Sequence, residues 1–453
     1  MIWDKVDLIM NETNPSSYFQ NLRKVFQSRN FVIILLTNYT GSLFLAAWVY
    51  LNLFFRDVGL TYLELGIANG WSMLIGLFFT MIGGYWADKH IHHRRYMATF
   101  NKFFIAIAML LMPFVDTFIS LIFVWTVFSL AQFCQASIDP ILFESLPKGQ
   151  MGTGTSLFTL TGFFGILGLI LVGVLITDGF VQGLRIFFFM AGIASLVDFF
   201  IRLFFLEQIA IEDKEEMREK NGLAQDLIIQ YSMGLKVLLA TIPLLFIVFL
   251  LDVASDINYQ FAQNFFLNEE VGMNYITLNY TMIGSTILGI VGGLAAGALL
   301  DRTTNDAKIM FLAYLFLPFS IFLLFNSPKL PVWINFQSSE LLLTLISSTA
   351  FIAVIIKTGN DVIWRTIAWG AVGRKLPREH TGKVMAILGM AIQALGVIIS
   401  PIAGFIYEQE GGGWLLIIAM GINVIILSLL LISWLKGRSE SYKQKQAALT
   451  IQY

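Results

Sequence analysis

The stretch GYWADKHIHHRR, Gly84 to Arg95, ends one long apolar run and leads into the next. A related stretch, GALLDR from Gly297 to Arg302, does the same in the second half of the chain. Each places a Gly four residues ahead of an Asp, and a Lys or Arg directly after it. A second matched pair accompanies them: LPKGQMG (Leu146 to Gly152) and LPREHTG (Leu376 to Gly382) keep Leu, Pro and Gly in the same register. Two landmarks at corresponding places in two halves argue for duplication. Carriers built from two repeated halves put their binding site near the bilayer midplane, between the halves.

The composition supports a membrane setting. Of 453 residues, 57% are hydrophobic and only 13% charged, where a soluble chain carries roughly 25%. There are 41 Phe and 10 Trp. The apolar runs are continuous and do not alternate, so helices rather than a barrel are expected. A lone Cys134 excludes an internal disulfide framework and a cysteine-built metal site. No metal and no cofactor are implied. A net charge of −1 gives no reason to expect nucleic acid as a partner. The first thirty residues are polar, without a basic segment leading into a short apolar one, so no cleavable signal peptide is read there.

A spanning helix needs about 20 mostly apolar residues. Twelve runs qualify: 31–55, 63–87, 97–115, 118–146, 152–177, 184–206, 236–262, 275–300, 308–326, 340–372, 382–407 and 414–435. Placing the N-terminus inside puts 22 Lys and Arg in the inner segments and three, Arg56, Arg185 and Lys329, in the outer ones. That asymmetry predicts both termini in the cytoplasm. Residues 207–235 are rich in mixed charge (Glu207, Glu212, Asp213, Lys214, Glu215, Glu216) and read as a solvated, part-helical linker. The expected organisation is therefore a cytoplasmic segment 1–30, a six-helix bundle 31–206, the linker 207–235, a second bundle 236–435 and a cytoplasmic tail 436–453. The fold class is an all-α membrane protein of two pseudo-symmetric bundles.

With its duplicated loop and six-plus-six topology, the chain resembles the major facilitator superfamily. That family marks the loop after its second helix with Gly, three residues, Asp, a basic residue and a basic cluster. Here Gly84, Asp88, Lys89, Arg94 and Arg95 match, and Gly297, Asp301 and Arg302 form the second copy. Ile91 stands where the family has a Gly, and His90, His92 and His93 are interposed. The resemblance implies a gating role for these residues, with Asp88 pairing across to the facing bundle in one state of the carrier. Gly84, like Gly293 and Gly297, is expected to let neighbouring helices approach closely. The three His read as a soft basic loop facing anionic lipid.

Ionisable groups inside the hydrocarbon are costly and mark candidate sites. Gln132, Gln135 and Asp139 share one face of the fourth helix, with Glu144 following. Asp252, Asp256, Tyr259 and Gln263 share a face of the seventh. Lys357, Asp361 and Arg365 form an i, i+4, i+8 stripe on the tenth. Asn38, Ser42 and Asn52 share a face of the first. The resemblance implies that these four helices line a central cavity, with Trp48, Tyr259 and Trp364 as aromatic walls. Lys102, Asp198 and Arg202 are expected near the cytoplasmic ends, held by snorkelling or by an i, i+4 pair.

A carboxylate in apolar surroundings keeps its proton up toward neutral pH, which is what a proton carrier needs. Asp139 or Glu144, and Asp252 or Asp256, are thus candidate carriers. The expected function is secondary transport of a small organic solute by a monomer in a cell (plasma or inner) membrane. Coupling to protons as an antiporter exporting the solute comes first. Proton-driven uptake by symport, or lipid flipping on the same fold, are the alternatives. Drug antiporters of the family carry a Gly-Pro pair in the fifth helix, whereas no Pro lies between Gly152 and Asp178. All four His lie at the cytoplasmic face, which excludes His-based catalysis within the membrane. GKVM at Gly382 lacks the flanking residues of a phosphate-binding loop, so neither an enzyme nor an ATP-driven pump is expected.

Overall fold

The computed structural model describes residues 23–89, 91–135, 137–138, 141, 145, 157, 161–208, 223–302, 306–330, 348–375 and 381–451. Among them the chain is helical, and eleven segments are long and apolar enough to cross a membrane. The first span is interrupted. Helix α1 (Arg29–Phe44) passes through a 3-10 stretch, Leu45–Tyr50, into α2 (Leu51–Val58). Gly59, at φ 114°, ends it: the Leu60 N–H donates to the Phe55 carbonyl at 3.1 Å and the Gly59 N–H to Arg56 at 2.9 Å, a left-handed cap that suits a residue without a Cβ.

Six helices follow in the order α3 (Tyr62–Lys89), α4 (Arg94–Leu111), α5 (Phe118–Gln135), α6 (Thr161–Leu175), α7 (Phe180–Phe205) and α8 (Leu223–Thr241). The second half holds α9 (Pro243–Phe265), α10 (Tyr275–Arg302), α11 (Asp306–Tyr314), α12 (Phe316–Asn326), α13 (Thr349–Lys375), α14 (Thr381–Glu410) and α15 (Gly412–Ile451). The charged linker does end in a helix, but α8 runs through position 236, where the seventh span was expected to begin. That span opens at Pro243 instead, at the first position of α9, where a missing N–H is tolerated and φ is already helical. The last helix likewise continues well past residue 435. Helix α13 has the length of a span and carries Lys357, Asp361 and Arg365 in its middle.

The halves meet along two helix pairs, α3 against α14 and α6 against α10. Small residues set the first crossing. A Cβ on Gly66 would lie 2.5 Å from the Ser400 carbonyl oxygen, and one on Gly404 2.4 Å from that of Tyr62. The two backbones therefore touch. The close approach expected of Gly84 occurs one residue earlier: a Cβ at Gly83 would meet the Phe133 carbonyl at 2.1 Å, whereas at Gly84 the nearest neighbour is 3.9 Å away.

Lys102, Asp198 and Arg202 are not snorkelling. They are at most 4% exposed and join three helices. Lys102 Nζ lies 3.0 Å from Asp198 Oδ2 and donates to the Thr37 carbonyl at 2.6 Å. Arg202 donates to Thr37 Oγ1, the Ala98 carbonyl and Asn38 Oδ1. Each cation is thus bound by protein oxygen within the first half, and the position near a helix end, from which snorkelling was inferred, did not reveal these partners.

Candidate solute cavity

A cavity of about 640 Å³ lies between the halves. From the first half, α2, α3, α5 and the 3-10 stretch bring Asn52, Asn69, Gln132 and Trp48 to it. From the second, α9, α13 and α14 bring Tyr259, Gln263, Lys357, Asp361 and Gln393. Trp48, Trp125 and Phe128 pack on one another with ring centroids 4.9–5.7 Å apart, forming one aromatic wall.

The charged stripe on α13 has a partner that the spacing alone did not reveal. Asp256 of α9 binds two cations at once: Lys357 Nζ is 2.7 Å from its Oδ1 and Arg365 Nη2 2.6 Å from its Oδ2. Gln260 adds a donor at 2.5 Å. Asp361 is the second carboxylate, 3.2 Å from Arg365 Nε and 3.8 Å from Lys357 Nζ. The Lys357 ammonium also sits 4.4 Å from the centroid of the Tyr259 ring, a favourable place for a desolvated cation. The four groups form a closed, charge-balanced cluster in the cavity wall. Asp361 makes the longer contacts of the two carboxylates and lines the cavity itself.

Other expected site residues fall elsewhere. Asp252 shares the helix with Asp256 but receives a hydrogen bond from Tyr314 at 2.9 Å, and Tyr314 in turn lies 2.6 Å from the Asn423 amide oxygen. It therefore ties α9 to α11 and α15. Trp364 is fully buried against Tyr314, with centroids 4.8 Å apart, and is not a cavity wall. Asn38 accepts from Arg202 and Gln135 from Asn101 at 3.2 Å; both serve packing within the first half. Asp139 and Glu144 lie outside the described residues, as do His90 and the greater part of the LPKGQMG and LPREHTG segments. Asp88, Lys89, Gly297, Asp301 and Arg302 sit at the ends of α3 and α10, and their side chains are outside the described set. Arg94 and Arg95 are placed: Arg94 Nε donates to the Ala87 carbonyl and Arg95 Nη2 to that of Leu203, both at 2.8 Å. Each guanidinium thus satisfies a carbonyl near a helix C-terminus.

A second constellation was not anticipated. At the end of the bundle where Gly59, Gly179 and Gly411 make short turns, α9 finishes in a π-helical turn, Phe266–Glu270. Its Glu269 is 3.1 Å from Arg56 Nη1 and accepts from the Tyr62 hydroxyl at 2.8 Å and the Tyr407 hydroxyl at 3.1 Å. Arg56 also donates to Asn268 at 3.1 Å, the Leu63 N–H to Glu408 at 2.9 Å, and the Tyr275 hydroxyl to Asp57. The rings of Phe180 and Tyr275 stack at 3.8 Å. These contacts join the two halves and close this end. A signal was available: Arg56 is one of the three basic residues in the segments that the sequence reading assigns to the outer side.

Comparison with known proteins bears on this arrangement. The family model described as Major Facilitator Superfamily matches residues 15–363. A search of curated proteins finds no match. Among solved structures, a crystal structure of a point mutant of the nucleoside transporter NupG is similar with a TM-score of 0.68 and 13% identity, over 89% of this chain and 99% of that one. A second crystal structure of NupG gives 0.61 and 14%, over 89% and 98%.

Proposed function

We propose that this chain, which belongs to the major facilitator superfamily, carries a small organic solute across the membrane by alternating access, with the Asp256–Lys357–Asp361–Arg365 cluster at its centre. The observation that carries the reading is that cluster's position, in the wall of a cavity between the two halves. In this reading α13 counts as a span in spite of its charges, which makes twelve, the Lys and Arg asymmetry supports termini in the cytoplasm, and the carrier works as a monomer in a cell membrane. The end closed by Glu269 then faces outward.

Protons are the coupling ion in this reading. Protonating Asp361 leaves Lys357 and Arg365 with Asp256 as their remaining carboxylate and gives the cluster a net positive charge. Solute binding and protonation are thereby linked through one set of side chains. Export by exchange with protons, the first reading of the sequence, and proton-driven uptake use the same site and differ in which leg of the cycle the solute travels. A lining rich in amides and hydroxyls favours a polar solute over a lipid.

The test uses purified protein in liposomes with an internal pH dye and a panel of solutes that includes nucleosides, in view of the structural neighbours. A solute gradient is expected to drive proton movement in wild type, with the sign of the pH change giving the direction. Asp361→Asn is expected to retain solute exchange and lose the proton signal. Proton flux in Asp361→Asn equal to wild type would overturn the assignment.

A further inference from the structure

The cavity's own chemistry narrows what it carries, taking the transport reading above as given. The two charged side chains on its surface, Lys357 and Asp361, are opposite in sign and paired with each other at 3.8 Å. Behind them, Asp256 and Arg365 are paired at 2.6 Å. In its charge-balanced state the cluster offers an anionic or cationic solute no unpaired counter-charge. Drawing one out of this cluster would break the Lys357–Asp256 pair, whose side chains are only 8% and 12% exposed, and removing one partner of a buried ion pair is strongly unfavourable.

The remaining polar lining is made of amides and hydroxyls. Asn52, Asn69 and Gln132 lie on one side, Gln263 and Gln393 on the other. Most of their hydrogen-bonding capacity is unused. Asn52 and Asn69 share one contact at 3.4 Å, and Gln393 gives one at 3.4 Å to Thr80. The Gln263 amide nitrogen has only the Met282 sulfur at 4.0 Å, a weak acceptor. Gln132 has no hydrogen bond among the described residues. A side-chain amide holds a donor and an acceptor in one plane, the pattern that reads two adjacent polar groups on a ring. The aromatic wall of Trp48, Trp125 and Phe128 adds a flat apolar surface for a ring face.

We infer that the solute is an uncharged ring compound bearing several adjacent hydroxyl or heterocyclic amide groups, gripped by amides from both halves and stacked on the Trp48 wall. A polyol ring and a heterocyclic base share this chemistry, and the two probes below separate them.

The experiment is counterflow with the full chain in liposomes. The neutral probes are uridine and D-glucose; the charged probes are L-lactate, L-lysine and tetraphenylphosphonium. Saturable exchange of uridine or D-glucose, with none of the charged probes exchanged, is the expected result. Uridine alone would show that the heterocyclic base is required, its ribose being a polyol ring as well, and D-glucose alone that the polyol suffices. Gln132→Ala and Gln263→Ala, one in each half, should each raise the KM for the exchanged probe about tenfold, the loss expected for a two-pronged amide contact. Exchange of any charged probe overturns the inference and leaves the transport reading standing. Exchange of a neutral probe with both KM values unchanged places recognition on other residues and also overturns it. Vesicles that exchange no probe of either kind overturn the inference and leave the transport reading to the wider solute panel above.

Discussion

Glu269→Gln should loosen the closed end of the bundle. The carboxylate is 25% exposed and faces Arg56, which is 29% exposed, so the ion pair is partly screened and contributes no more than about 1 kcal/mol. The two tyrosine hydroxyls add hydrogen bonds to a charged acceptor. Replacing that acceptor by a neutral amide lowers each by about 0.5–1 kcal/mol. Together these amount to about 2 kcal/mol, or roughly a 30-fold shift in the ratio of closed to open at this end. Spin labels on cysteines introduced at the exposed Thr177 and Lys329, on opposite halves, would read the ratio as a distance distribution. Cys134 is buried, and Cys134→Ser would keep the background clean. Glu269→Gln should populate a longer distance that wild type lacks, and Tyr62→Phe should do so more weakly. A distribution unchanged in Glu269→Gln would refute the latch, since a shift of roughly 30-fold in the closed-to-open ratio would be visible in it.

Other outcomes follow from the same geometry. Asp198→Asn leaves Lys102 and Arg202 buried without a carboxylate and should destabilise the first half by about 3–5 kcal/mol; a solubilised variant as heat-resistant as wild type by size-exclusion fluorescence would contradict this. Gly66→Val forces a side chain against the Ser400 carbonyl and should abolish transport while Gly421→Ala, with open space around it, leaves transport unaltered. Asp256→Asn removes the carboxylate that bridges Lys357 and Arg365 and should lower solute exchange more than Asp361→Asn does; equal effects in a counterflow assay would remove Asp256 from its central place in the cluster.

Helical periodicity located faces well and neighbours poorly. Lys357 and Asp361 of the α13 stripe and the Tyr259–Gln263 face of α9 reach the cavity, because spacing decides which residues share a face; Arg365, the third member of the stripe, is bound to Asp256 instead. Spacing does not say what packs against that face. Asp252 is one turn from Asp256, yet it meets Tyr314 of another helix. Asn38 follows the polar pattern of Asn52, but Arg202 claims it. Trp364 follows Lys357 by seven residues and so flanks the charged stripe on α13, yet Tyr314 of another helix packs against it and buries it. The latch at Glu269 was hidden for a different reason: acidic and aromatic residues at the ends of spans usually serve the membrane interface, and nothing local distinguishes those that reach across to another helix. Gly83 and Gly84 are adjacent in a helix and point about a quarter-turn apart, so a motif Gly and a packing Gly are easily exchanged in a sequence reading.

The membrane's electric field sees the Asp256–Lys357–Asp361–Arg365 cluster as a neutral object. Moving one elementary charge through 100 mV involves about 2.3 kcal/mol of electrical work. When the two halves rock, this cluster moves two positive and two negative charges together, and its contribution to that work is zero. In the proposed proton-coupled cycle, voltage then acts at the centre of the carrier on the added proton and not on the resting cluster. In that proposed cycle with a neutral solute, current recorded during turnover counts protons, and its steepness with voltage measures how far into the field the proton travels.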